Sequence, residues 1–188
     1  MHSPASLLSV ARQVGNLAGL EPSHVQRCYT ALQAAGLLPR SHGRSIHLAT
    51  PQHVATLIIG LAADRASASL RESVVQFSIA GKDGAAIETE SVHAEIARLL
   101  MDPAGADRVE KITFDMDRHH ATILRKDGAP AEYYAEEETI DLDLNVHDTT
   151  HDLRPLIASD RVVSGKLLQL ASRAITWHAG TPDRARDD

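Results

Sequence analysis

Between Val14 and Leu48 the chain reads VGNLAGLEPSHVQRCYTALQAAGLLPRSHGRSIHL, and its breakers and apolar positions leave few ways to fold. Gly15 is followed four residues later by Gly19, where the chain must turn, and Leu20 comes next. Pro22-Ser23 suits a helix start, and Val25, Cys28, Tyr29 and Leu32 then recur on one side at 100° per residue. Gly36 can end that helix, because glycine accepts the left-handed cap conformation. Leu37-Leu38 begins an extended segment, Ser41-His42-Gly43-Arg44 turns it, and Ile46-His47-Leu48 returns. The expectation is a helix over Pro22 to Ala35 between a glycine turn and a hairpin with a basic tip.

The side of this helix away from the apolar stripe carries Ser23, Arg27, Thr30 and Ala34, flanked by His24, Gln26 and Ala31. Within those positions there is no acid, and Arg27 can pair bidentately with a guanine edge. Ala31 and Ala34 permit close approach to a groove, and the helix start offers backbone N–H groups to a phosphate. This set of spacings resembles the helix-turn-helix and wing of the winged-helix DNA-binding superfamily over roughly the first third of the chain. The pattern also resembles small phage and mobile-element regulators. The resemblance implies recognition of double-stranded DNA by Ser23, His24, Gln26, Arg27 and Thr30, with Arg40, His42 and Arg44 contacting the backbone or minor groove from the wing. It departs from the usual pattern at Gly15, where alanine is commoner. It also departs at the front, where the first helix must be short (Pro4 to Leu8) or fused with the next.

Charge is uneven along the chain. Residues 1–80 hold six Lys/Arg against three Asp/Glu, a net +3, whereas the rest holds 13 against 22, a net −9. A basic front and an acidic rear suit a chain that presents one end to a polyanion. The acidic run Glu136-Glu137-Glu138 with Asp141 and Asp143 is expected to be a solvated face, or else a mimic of DNA charge or a dock for a basic protein partner. Aromatics are only 3% of residues, so the core must be built from Leu, Ile, Val and Ala. One cysteine excludes an internal disulfide, and Cys28 on the apolar stripe is expected to be a small core residue. No apolar run is long enough to cross a bilayer and no signal segment is evident, so a cytoplasmic protein without membrane attachment is expected.

Beyond the hairpin, Thr50-Pro51 starts a helix. Its stripe of Val54, Leu57, Ile58 and Leu61, widened by Ile59, exceeds what one small domain needs to bury. Ser67-Ala68-Ser69 is the expected junction between a DNA-binding domain, 1–68, and a small α+β domain, 69–188, for dimerisation or partner and effector binding. Leu70 to Ile79 is ambiguous between helix and strand. Ser91 to Met101 reads as a helix ended by Asp102-Pro103. An antiparallel sheet follows from Val109 to Met116, His120 to Leu124 and Tyr133-Tyr134, and Ile140 to Val146 alternates most strictly with polar residues. Asp160 to Trp177 reads as a last helix with Val163, Leu167, Leu170 and Ile175 along one side.

Catalytic and cofactor signatures are missing. Ser164-Gly165-Lys166 lacks the first glycine of a phosphate-binding loop and has Leu167 where Ser or Thr is required. There is no G-x-S-x-G elbow and no zinc-ribbon spacing. His147-Asp148 and His151-Asp152, with His119, His120, Asp115 and Asp117 on nearby expected strands, are the best candidate for metal-ligand chemistry. Pro155 opposes one helix running through and beyond His147 and His151. The expectation is therefore a non-enzyme without cofactor or metal: a sequence-specific, homodimeric transcriptional regulator, a repressor by preference. A winged-helix protein-interaction adaptor and a metal-dependent enzyme built on the His/Asp group are the rivals. Two-fold pairing, seated on the second domain or on the Val54–Leu61 helix, would supply the second half-site.

Overall fold

A computed structural model describes residues 6–40, 46–63, 67–82, 90–116, 118–128, 130–134, 160–175 and 177. It is a mixed α+β structure. The elements run α1 (Leu7–Leu17), α2 (Pro22–Ala34), α3 (Pro51–Ala63), α4 (Ser67–Ile79), β1 (Gly81–Lys82), α5 (Val92–Met101), α6 (Pro103–Arg108), β2 (Val109–Asp115), β3 (His120–Arg125), β4 (Ala131–Tyr134), β5 (Asp160–Ser164) and α7 (Gly165–Ala174).

One helix occupies the stretch ahead of the Gly19 turn. Ser6 caps it by accepting from the Ser9 N–H at 3.2 Å, and Leu7, Val10, Ala11 and Val14 form its buried face. Among the described residues, then, a single helix of eleven residues precedes this turn. Gly19 sits at φ +70°, and the Leu20 N–H reaches back to the Gly15 carbonyl at 2.9 Å. Gly36 ends α2 in the same way, at φ +76° with Leu37 N–H on the Leu32 carbonyl at 2.9 Å. Both are left-handed caps that a side chain would strain. Gly15 has a different reason to lack a side chain. A Cβ there would run into the Val25 side chain, so the glycine lets α1 lie close against α2.

α3 is the centre of the molecule. Val54, Ala55, Leu57, Ile58 and Ile59 are all buried, round the whole circumference of the helix. α1 and α2 pack on it, as do α4, α5 and β5. Gly60 faces α2, where an added Cβ would lie 2.9 Å from a Leu32 methyl. A helix apolar all round belongs in an interior. This corrects one expectation: the surplus of Val54, Leu57, Ile58, Ile59 and Leu61 is core of the same chain and is not free to form a seam with a second copy. The buried apolar residues from Leu7 to Ile175 form one core cluster. Among the described residues, no helix is long and apolar enough to cross a membrane.

The ambiguous Leu70–Ile79 stretch is helical and buries Leu70, Val74 and Phe77. Ser91 caps α5 by accepting from the Ala94 N–H at 3.2 Å. Pro103 ends α5 as expected but also opens α6, at whose first turn its missing N–H costs nothing. The sheet has the order β1-β4-β3-β2-β5 with every neighbouring pair antiparallel. Val109, Ile112, Phe114, Ala121, Ile123, Tyr133 and Val163 are its buried apolar residues. Phe77 of α4 meets Phe114 edge to face at 5.1 Å between ring centroids.

The last helix expected over Asp160 to Trp177 is two elements. Asp160–Ser164 is strand β5, paired with β2 from Lys111↔Ser164 to Asp115↔Asp160. Ser164 then caps α7 by accepting from the Lys166 N–H at 3.2 Å. The buried face of α7 is Gly165, Leu168, Ala171 and Ser172, not the Leu167–Leu170 side. Starting the periodicity on Val163, a strand residue, shifted the phase. The Ile140–Val146 strand lies outside the described residues.

Candidate nucleic-acid interface

α2 separates its two sides as its pattern requires. Val25, Cys28, Tyr29 and Leu32 are buried against α1 and α3. Ser23, Gln26, Arg27 and Thr30 are exposed and His24 is half-buried. The Gln26 side-chain amide donates to the Thr30 hydroxyl at 3.3 Å, one helical turn on, which orients both along the outer face.

The start of α2 is less open to a phosphate than its position promised. Pro22 has no N–H, and the N–H groups of His24 and Val25 bond the Glu21 carbonyl at 2.9 and 3.2 Å. Glu21 itself is exposed at the cap, with no side-chain capping bond, so a carboxylate stands where an anion was expected. A groove of about 770 Å³ runs along this end. Ser23, His24 and Arg27 line one side and Arg161 and Val162 of β5 the other. Sequence reasoning missed Arg161 because it placed this stretch in a helix. The adjacent β-branched Val162-Val163, followed by the Ser-Gly start of a helix, was the available signal.

Arg40 has a structural task. Its guanidinium donates to the Gln33 carbonyl at 2.9 Å and the Ala34 carbonyl at 3.0 Å, satisfying the last carbonyls of α2 and countering the negative end of the helix. Around it the two legs of the expected wing are joined without a ladder among the described residues. His47 Nε2 lies 3.0 Å from the Arg40 carbonyl, and the Leu7 N–H donates to the His47 carbonyl at 2.9 Å. Ser6 and Leu48 form an antiparallel bridge. Among the described residues of the outgoing leg, the N–H groups of Leu37 and Leu38 go to the Leu32 carbonyl and Pro39 has none. His42 and Arg44 lie outside the described residues.

Two histidines sit at the root of this loop and the start of α3. Thr50 and His53 cap each other: the His53 N–H donates to Thr50 Oγ1 at 3.2 Å, and the Thr50 N–H to His53 Nδ1 at 3.4 Å. His93 of α5 places Nε2 3.1 Å from the Gln52 carbonyl and 3.0 Å from Thr56 Oγ1. Burial pushes both imidazoles below their ordinary pKa; hydrogen bonds to Leu48 and Gln52 oppose it, and the neighbouring histidines add to it. The unfolded chain therefore takes up protons first as pH falls through about 6.5. The resulting loss of stability grows below that pH and levels off once the folded-state pKa values are passed. Thermal unfolding between pH 7.5 and 5.5 should show a falling Tm, and His93→Gln should reduce the fall. An unchanged pH slope in that variant would contradict this assignment.

The described members of the His/Asp group have other surroundings. Asp115 accepts from the Arg118 N–H at 3.1 Å across the β2–β3 turn, where His119 has φ 49°. The His119 ring lies edge-on to Phe77 at 6.1 Å, and His120 lies 6.2 Å from Tyr134. No three His, Cys, Asp or Glu side chains converge as a metal site among the described residues. Asp117, His147 and His151 lie outside them.

Comparison with known proteins finds no matching family profile, no similar curated protein and no similar solved structure.

Proposed function

We propose that the chain binds double-stranded DNA sequence-specifically through the outer face of α2, as a homodimeric transcriptional regulator of winged helix-turn-helix type. The observation that carries this reading is the combination of an exposed Gln26–Arg27–Thr30 face with a rigid mounting. Gly15 and Gly60 let α1 and α3 clasp the opposite face of the same helix, and Arg40 fixes its end. A reading helix must be held still by its neighbours if base contacts are to discriminate. The Ser6–Leu48 bridge ties the loop after α2 to the start of α1, as a wing root requires. The helical core around α2 includes α3, which follows the loop and packs on both α1 and α2.

In this arrangement Arg27 and Gln26 read base edges, Thr30 orients Gln26, and Ser23 and His24 meet the flanking backbone. Arg44 and His42 serve phosphates from the wing. Arg40 supports the helix and makes no base contact. As a homodimer, two such helices read two half-sites. With α3 inside the core, the exposed apolar residues Val75, Ile79 and Met101 of α4 and α5 are the seam we favour. Repression then follows from occupancy of the site.

Selection from a pool of random duplexes with the full chain tests this. We expect an enriched sequence with inverted half-sites, bound with an affinity that falls steeply as salt rises. Failure to enrich any sequence, or binding indifferent to salt, would overturn the reading.

A further inference from the structure

A cavity of about 480 Å³ opens beside the α1–α2 turn, between the end of α3, strand β5 and the first turns of α7. Its floor is Leu17, Leu20, Ile58, Leu61, Leu167 and Leu170. Part of this surface is left to water: Leu170 is 37% exposed and Val162, at the rim, 60%. Solvent-facing apolar surface gathered in a concavity, and not scattered, marks a binding site. The cavity's own lining holds one charged side chain, a lysine, and the groove that continues it holds Arg27, Arg161 and the Glu21 carboxylate. Lys166 borders the cavity and Arg161 borders the groove that continues it past Leu20, Leu61, Ala62 and Val162. Neither forms an ion pair with a carboxylate among the described residues.

Three occupants can be compared. A second copy docking here by a two-fold axis would bring Lys166 and Arg161 against their own counterparts, an unfavourable like-charge contact. A DNA phosphate would find the cations but would lose hydration over a floor of leucines. A small amphipathic acid satisfies both parts, with its hydrocarbon on the leucines and its carboxylate at Lys166. The volume falls within the range of small-molecule pockets. We infer that this cavity binds a small aliphatic carboxylate, with Lys166 as its counter-ion.

Leu17 and Leu20 flank the Gly19 turn that sets α2. On the DNA-binding reading, occupancy of the cavity and affinity for DNA are therefore coupled. The cavity itself is tested without DNA, so its failure and the failure of that reading are distinguishable.

Calorimetric titration of the full chain with sodium octanoate, and with 1-octanol as its uncharged counterpart, decides the matter. Octanoate should bind saturably, and octanol at least about tenfold more weakly, because the charge-assisted contact is lost. Lys166→Glu and Val162→Asp change exposed positions and leave the core intact, so both should fold as the parent by circular dichroism. Each should weaken octanoate binding by about tenfold or more. No saturable octanoate binding, equal affinity for octanol, or unchanged octanoate affinity in both variants would overturn the proposal.

Discussion

Gly165→Ala should lower the stability of the protein by about 3 kcal/mol or more, through a backbone collision that the fold cannot relieve. Gly165 is the first residue of α7, directly after β5. A Cβ added there would run into the Val109 carbonyl oxygen and lie 2.7 Å from the Glu110 carbonyl oxygen. These are main-chain atoms at the start of β2, which is held between β3 on one side and β5 on the other. Retreat would break ladder bonds or pull α7 off the sheet. Gly105 provides an internal contrast, since the nearest atoms to its added Cβ belong to the Asp102 carboxylate, which can swing aside. Gly128 provides another, with nothing within 4 Å. Denaturant unfolding of the three alanine variants should rank Gly165 far below Gly105, and Gly128→Ala should stay within about 0.5 kcal/mol of the parent. A Gly165→Ala midpoint equal to that of Gly128→Ala would show that this junction is not close-packed.

The same glycine shows what a sequence conceals. Ser164-Gly165-Lys166 invites a motif reading, yet the glycine is required by a strand more than fifty residues earlier. Local rules succeeded where the interactions are local. Gly19 and Gly36, the Val25–Leu32 stripe and the Thr50-Pro51 helix start are decided within a few residues, and all appear where the spacing puts them. Val163 reads as helical because its spacing from Leu167 and Leu170 suits one helix face, and Val162 goes with it. Only pairing with β2 makes them a strand. The apolar excess of α3 looked like an interface because a sequence does not reveal how many partners surround a helix. Arg40 reads from sequence as a contact to the DNA backbone or minor groove, and its bonds to the Gln33 and Ala34 carbonyls depend on how the loop folds back. Arg161, which faces the start of α2 across a groove, comes from a part of the chain whose net charge is negative. Its neighbourhood is set by topology, not by composition.

The central claim is that the outer face of α2 reads bases, and Arg27 is its strongest test. Arg27 is exposed, and its guanidinium forms no ion pair with another described residue, so its removal should leave the fold unchanged. A bidentate contact to a guanine edge is worth about 1–3 kcal/mol of discrimination at one base pair. Arg40→Ala is the control, because that guanidinium is occupied at the Gln33 and Ala34 carbonyls and should affect stability before selectivity. The measurement is a titration of the parent, Arg27→Ala and Arg40→Ala against the selected duplex and against duplexes altered one base pair at a time. Arg27→Ala alone should lose preference at a single base pair in each half-site, while its binding to unrelated DNA changes little. Equal selectivity of the parent and Arg27→Ala at every position would contradict it.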